Sequence, residues 1–212
     1  MRNGEVSQWF AQLAQLGRSA PRAPLAGETD ADVGTVGAGL TGLWAPHYLA
    51  ETDPPLRIMV CEQRFAGYGV SGRNGGWLTS SLAGTRRRFA ATHGREGVLA
   101  LPAQMHDAVG GAFTRHGARL NPAKPVVGLA VVVERQGVVI AEDTPVTGVV
   151  PGAVTTTRGT VRAPVVLRAT ESFTARLPGQ RRTWLPMKSS LVVTEPLPDT
   201  AWEEIGRAGL ET

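Results

Sequence analysis

The chain has 212 residues, 42% hydrophobic and 19% charged, which is enough apolar material for a core and too little charge for long disordered tracts. A formal net charge of +4, from 22 Lys plus Arg against 18 Asp plus Glu, suits an anionic ligand and does not argue for nucleic acid. Cys61 is the only cysteine, which excludes an intrachain disulfide, and no run of 18 apolar residues offers a membrane span.

The first residues, MRNGEVSQWFAQLAQL, lack the apolar stretch of a secretory leader, so a soluble cytoplasmic protein is expected. Within them Trp9, Phe10, Leu13 and Leu16 fall at helical spacing and predict a short helix over 7–16. Residues 17–31, rich in Pro, Gly and Ala, read as a linker.

Residues 32–62 are the most informative stretch. Asp32-Val-Gly-Thr-Val predicts a strand, Gly37-Ala38-Gly39-Leu40-Thr41-Gly42 a turn into a helix over about 40–51, and Arg57-Ile-Met-Val-Cys61 a second strand ending at Glu62. On the helix, Leu40, Leu43, Trp44, His47 and Tyr48 share one face, and Trp44 and Tyr48 are expected to pack rather than touch ligand. Pro46 lies inside it, which removes a hydrogen bond and costs about 3 kcal/mol unless the helix kinks.

This order of strand, glycine turn, helix, strand and acid is the arrangement that holds an adenine dinucleotide. Gly37 permits the tight turn, Gly39 lets backbone approach a pyrophosphate, and Gly42 lets helix and strand pack closely. The first helical amides lack internal partners and point at the phosphates, where the helix dipole adds positive potential. Glu62, 25 residues after Gly37, can accept both hydroxyls of a ribose and repels a 2′-phosphate. A glycine-rich surface turn is the plain alternative.

Residues 64–81 hold a second glycine cluster, Gly67, Gly69, Gly72, Gly75 and Gly76. Residues 85–117 read as one or two helices broken at Gly94, Pro102 and Gly110-Gly111, and 126–136 suit helix or strand, with helix preferred. Gly137–Ile140 predicts a buried strand. Thr144–Val150, Gly152–Thr157 and Thr160–Arg162 predict a small antiparallel meander around Pro-Gly and Arg-Gly turns. Pro164–Ala169 is another apolar strand, and Ser189–Thr194 a last one.

Asp32–Glu62 followed by Gly67-Tyr-Gly69-Val-Ser71-Gly72-Arg73-Asn74-Gly75-Gly76 resembles the D-amino-acid-oxidase-like family of FAD-dependent oxidoreductases, within it the gamma-glutamylputrescine oxidase type. Val166–Thr170 looks like the family's return to the cofactor sheet. The resemblance implies an α/β fold: a doubly wound, Rossmann-like parallel FAD-binding sheet with an antiparallel crossover meander and a remnant of the substrate domain. It implies FAD as cofactor. Gly37, Ala38, Gly39, Thr41, Gly42 and Glu62 would lie at its adenosine and diphosphate, and Gly69, Ser71, Gly72, Arg73, Asn74, Gly75 and Gly76 along the ribityl chain and ring. The backbone of Val146 would meet the adenine, and Ala169 and Thr170 the phosphates. It implies oxidation of a small amine or amino acid by hydride transfer from a substrate C–H to the flavin, with dioxygen as acceptor. No catalytic residue is indicated.

The chain also departs from the family. Leu120-Asn121 joins segments that the family separates by much of its substrate sheet, and relatives continue past Thr212, so an internally deleted, C-terminally truncated member is expected. Gly34 and Thr35 replace bulkier strand residues. The expected division is 1–30 helix and linker, 31–185 FAD-binding domain, and 186–212 the start of an incomplete substrate domain. A nicotinamide-dependent Rossmann enzyme and a non-catalytic FAD-binding remnant are the alternatives. His47, His93, His106 and His116 lack metal-ligand spacing, so no metal is expected. Arg86-Arg87-Arg88 reads as a solvated helix face, and Ser189-Ser190 lacks a nucleophile-elbow context.

Overall fold

β2 (Val33–Val36) and β3 (Ile58–Cys61) run side by side in parallel, and every residue of both is buried. Strands covered on both faces read as continuous apolar runs, as these do. In the computed structural model, which describes residues 6–16, 21–78, 90–92, 94–97, 118–185, 187, 189–190 and 194–205, β6 (Val139–Ala141) flanks β3 and β10 (Val165–Arg168) flanks β2. The sheet order is β10-β2-β3-β6, parallel throughout.

Helices α2 (Leu40–Thr52) and α3 (Ala123–Arg135) cover one face of this sheet. Val33, Ile58, Val60 and Ile140 meet Leu43, Val126 and Val133 there. A second sheet covers the other face. It contains β7 (Val146–Val150), β8 (Ala153–Thr156) and β9 (Gly159–Arg162) as an antiparallel meander, with the two-residue β1 (Thr29–Asp30) parallel to β9. Val36, Met59 and Cys61 pack against Leu25, Val154, Val161 and Ala163. The expected α/β architecture is present, with the meander as the layer opposite the helices.

These elements belong to one compact unit, residues 1–75 with 121–193. The second unit comprises 76–120 with 194–212. It contains β4 (Trp77–Leu78) antiparallel to β5 (Ala118–Arg119), and α4 (Asp199–Ile205). Most of the helical expectation over 85–117, including Arg86–Arg88 and three of the four histidines, lies outside the described residues, as does 191–193 of the last expected strand. Among the described residues no helix is long and apolar enough to cross a membrane, and no group of side chains has metal-site composition.

Three local expectations need correction. First, α2 continues through Pro46 over its full span, and its buried face is Gly42, Leu43, Pro46 and Ala50. Trp44 and Tyr48 are exposed and stack on each other instead, with ring centroids 5.6 Å apart. The buried face thus carries mostly small residues, and the large aromatic rings turn outward. Second, the linker is fastened over its described part: Leu25 is buried, its amide donates to the buried Thr144 hydroxyl at 3.0 Å, and Thr29–Asp30 pairs with β9. Third, the neighbours of Gly34 come from the meander: a Cβ there would sit at ordinary contact distance, 3.4–3.6 Å, from Ala163, Val154 and Val161. Thr35 is the real local cost, because its hydroxyl is fully buried without a hydrogen-bond partner.

Candidate functional site

The turn between β2 and α2 is built without side chains because none would fit. Gly37 has φ +99°, and a Cβ on it would lie 2.6 Å from the Ala169 carbonyl oxygen. A Cβ on Gly42 would lie 1.8 Å from the Gly37 oxygen. The strands hold the turn from both sides: the Gly37 amide donates to the Cys61 carbonyl at 2.8 Å, and the Ala169 amide donates to Val36 at 2.9 Å. Gly39 caps α2 with no side chain of its own, and Ser71 supplies the cap, its hydroxyl accepting from the Leu40 amide at 2.9 Å. The other amides of that first turn have no carbonyl within the helix to bind.

Glu62 closes the second strand and is buried. Its Oε2 accepts from the Ala38 amide at 2.8 Å and its Oε1 from the Arg64 amide at 3.1 Å. Burial pushes the Glu62 carboxyl up from the ordinary range. The Ala38 and Arg64 amides pull it down, and the nearby Glu142 carboxylate adds to the rise. Glu62 therefore faces the glycine turn as a fixed acceptor.

Both features open on one cleft. Of the expected residues, Gly37, Gly39, Glu62 and Ser71 line it, and so do Gly69, Val146, Ala169 and Thr170. Ala38 lies behind Glu62, and Gly42 beneath the turn against Gly37 and Ala169; neither lines the cleft. Thr41 is on the exposed side of α2.

The second glycine cluster divides. Gly72 is buried, and a Cβ on it would fall 2.3 Å from the Gly67 oxygen and 2.9 Å from the Phe10 ring. Phe10 comes from α1 (Gln8–Gln15), is fully buried, and meets Phe65 edge-on. Gly72 thus makes room for an aromatic side chain. Arg73 lies over the Tyr68 ring at 4.8 Å. The Asn74 side-chain amide donates to the Val70 and Ser71 carbonyls, and the Asn74 carbonyl accepts from the Trp9 indole at 2.9 Å. Gly75 has open space around it, and Gly76 belongs to the second unit, its carbonyl accepting from the Leu120 amide.

A segment that sequence reasoning missed completes the cleft. After β10, Glu171 takes a left-handed φ of +45° and starts a 3₁₀ turn to Arg176. Phe173, Arg176 and Leu177 of this turn line the cleft. Arg176 stacks its guanidinium on the Phe173 ring at 4.9 Å and is the one Lys or Arg among the described lining residues. Cys61 also lines the cleft, its thiol pushed up to about 12 by burial, which makes it inert at neutral pH.

A family model described as FAD dependent oxidoreductase, DAO, matches residues 32–101 and 87–210. The chain belongs to this family. Its cofactor is FAD, which sets aside the nicotinamide alternative. Among solved structures, the chain is similar to L-proline dehydrogenase from P. horikoshii, with a TM-score of 0.52, 15% identity, and coverage of 72% of this chain and 56% of that one. It is also similar to glycine oxidase from Geobacillus kaustophilus, with a TM-score of 0.53, 16% identity, and coverage of 72% and 58%. A third likeness is to L-amino acid deaminase from Proteus myxofaciens, with a TM-score of 0.54, 16% identity, and coverage of 79% and 51%. At these identities the likeness shows the fold. The chain spans 51–58% of the length of these three. No curated protein matches the sequence significantly.

The cleft fits a dinucleotide on its own geometry. Bare glycine backbone lines it where a Cβ at Gly39 would run into Ser71 at 2.8 Å, and its lining also holds the buried Glu62 carboxylate and the Arg176 guanidinium.

Proposed function

We propose that this chain holds FAD in the Gly37–Arg176 cleft and forms the cofactor-binding part of an amine or amino-acid oxidising flavoenzyme of the gamma-glutamylputrescine oxidase type. The observation that carries the reading is the opening of Glu62 and the Gly37–Gly39 turn onto the same cleft. Glu62 accepts from the adenosine ribose hydroxyls. The amides at the start of α2, the Ser71 hydroxyl and the Arg176 guanidinium take the diphosphate. Val146 and Ala169 shield the bound groups from water. Residues 31–185 constitute the cofactor domain, and 186–212 begin the substrate domain. When bound, FAD supplies the electron-pair acceptor for substrate oxidation, and dioxygen is the terminal acceptor. The three similar structures, named as a proline dehydrogenase, a glycine oxidase and an amino acid deaminase, support the substrate class.

Titration of the purified chain with FAD, followed by flavin fluorescence, tests the reading. Quenching is expected, and Glu62→Gln weakens binding about tenfold, in line with the loss of a hydrogen bond to a charged acceptor. Absence of quenching would overturn the reading. A second reading, a cofactor-binding remnant without turnover, draws support from Leu185 and Met187, each 87% exposed. A chain that binds FAD but leaves it oxidised under anaerobic amine would establish that one.

A further inference from the structure

Arg22 lies ahead of residue 32, where the family match begins. Its side chain is 10% exposed and is held by two acids from distant parts of the sequence. Nε and Nη2 donate to the two Glu134 carboxylate oxygens at 2.7 Å each, a bidentate pair with the end of α3. Nη1 donates to Glu142 Oε1 at 2.9 Å, and the Arg22 backbone amide donates to Glu142 Oε2 at 3.1 Å.

Glu142, with a side chain 7% exposed, follows β6 and braces the turn after β3. Its Oε1 also accepts from the Ala66 amide at 2.9 Å. The adjacent backbone does the same work: Glu62 donates to Ala141, Thr144 to Glu62, and Asp143 to Arg64, all at 2.8–2.9 Å. The turn that carries Glu62 thus rests on the segment that Arg22 neutralises. Two buried carboxylates, Glu62 and Glu142, interact across it, and Arg22 is the cation that compensates Glu142.

We propose that Arg22 is a positioning residue for the ribose end of the cleft, acting through Glu142 on the turn that presents Glu62; this rests on the dinucleotide reading above. The charged groups around Glu142 are Arg22 from the N-terminal strap, Glu134 from α3, Glu62 after β3, and the neighbouring Asp143, which pairs with Arg158. Without Arg22, Glu142 loses its guanidinium partner beside Glu62, the carboxylate that lines the cleft. Burial and the neighbouring Glu142 already push the Glu62 carboxyl up, so acidification relieves the excess negative charge there.

The test is the dissociation constant for FAD between pH 6 and 8.5, read by flavin fluorescence on the full chain, with thermal melts alongside. Wild type should vary little over this range. Arg22→Met should bind about tenfold more weakly at pH 8, with the defect shrinking toward pH 6. Arg22→Met combined with Glu142→Gln should recover to within about threefold of wild type, because the uncompensated charge is gone. Arg22→Lys, which keeps charge but loses the two-pronged geometry, should fall between. A defect that is equal at all pH values and not rescued by Glu142→Gln overturns the proposal, as does unchanged affinity in Arg22→Met with only a lowered melting temperature. If Arg22→Met does not fold, Arg22→Lys carries the same pH comparison. Wild type that fails to bind FAD overturns the dinucleotide reading and this inference together; wild type that binds with a pH-blind Arg22 variant overturns this inference alone.

Discussion

The two glycine clusters, 37–42 and 67–76, look alike in sequence and do different work in the structure. In the first, the missing Cβ atoms let backbone meet backbone, with Gly42 against Gly37 and Gly37 against Ala169, and the bare turn lines a cleft. In the second, much of the space is taken by the protein itself. Phe10 fills the position above Gly72, and a Cβ on Gly67 would fall 2.5 Å from Val126. Only Gly69 and Ser71 of the expected residues there reach the cleft. A glycine marks a close approach, and the identity of what approaches is decided elsewhere in the chain.

The largest expected effect breaks the second cluster. Phe10→Ala should destabilise the chain by about 3–5 kcal/mol, measured by denaturant unfolding, because it empties a fully buried ring site. The part that remains folded should still bind FAD, because the ring packs against Gly67, Gly72 and Phe65 of the second cluster; loss of affinity in proportion to loss of stability would erase the distinction drawn above. Gly42→Ala strikes the first cluster. Its Cβ cannot coexist with the Gly37 carbonyl, so the turn must move, at about 3 kcal/mol. Here FAD affinity should fall at least about tenfold even where circular dichroism reports native fold.

Smaller changes probe the strand that delivers the first turn. Thr35→Val replaces an orphaned hydroxyl with a methyl of the same shape and should stabilise by about 1 kcal/mol, seen as a rise in melting temperature of about 2–4 °C. The smallest effect concerns Asp32 at the entry to β2. Hydrogen bonds from the Arg57 side chain hold its carboxyl down at about 2. A carboxyl with a depressed value contributes stability above the unfolded range, near 3.9, and loses it as pH falls toward about 2. Wild type and Asp32→Asn should therefore differ slightly in melting temperature at pH 6 and converge at pH 2. The pair is exposed, so the gap at pH 6 is small.

What was legible in the sequence was local. The β2–turn–α2–β3 unit follows from spacing alone, because each strand and its glycine turn lie within a few residues of one another. The meander was visible because Pro151-Gly152 and Arg158-Gly159 mark its turns, and both glycines adopt positive φ. The helix at 123–135 was open to two readings because its valines favour strands; burial of Val126, Leu129, Ala130 and Val133 at helical spacing decides it. The buried face of α2 was misread because pattern rules weight large apolar residues, whereas the face that is buried carries Gly42, Leu43, Pro46 and Ala50, with Gly42 held against the Gly37 turn. The fastened strap was not legible at all: Arg22 and Leu25 find their partners more than 110 positions away, beyond any periodicity. The Phe173–Arg176 turn was missed because its role depends on where β10 ends.

Residues 21–30 lie upstream of the stretch that the family shares. Yet cutting the chain at residue 32 would strand an acid inside the protein and strip β9 of one of its two neighbours. Common descent and mechanical integrity therefore draw the border of this module at different places. Anyone trimming it to its inherited outline would remove a rivet along with the margin.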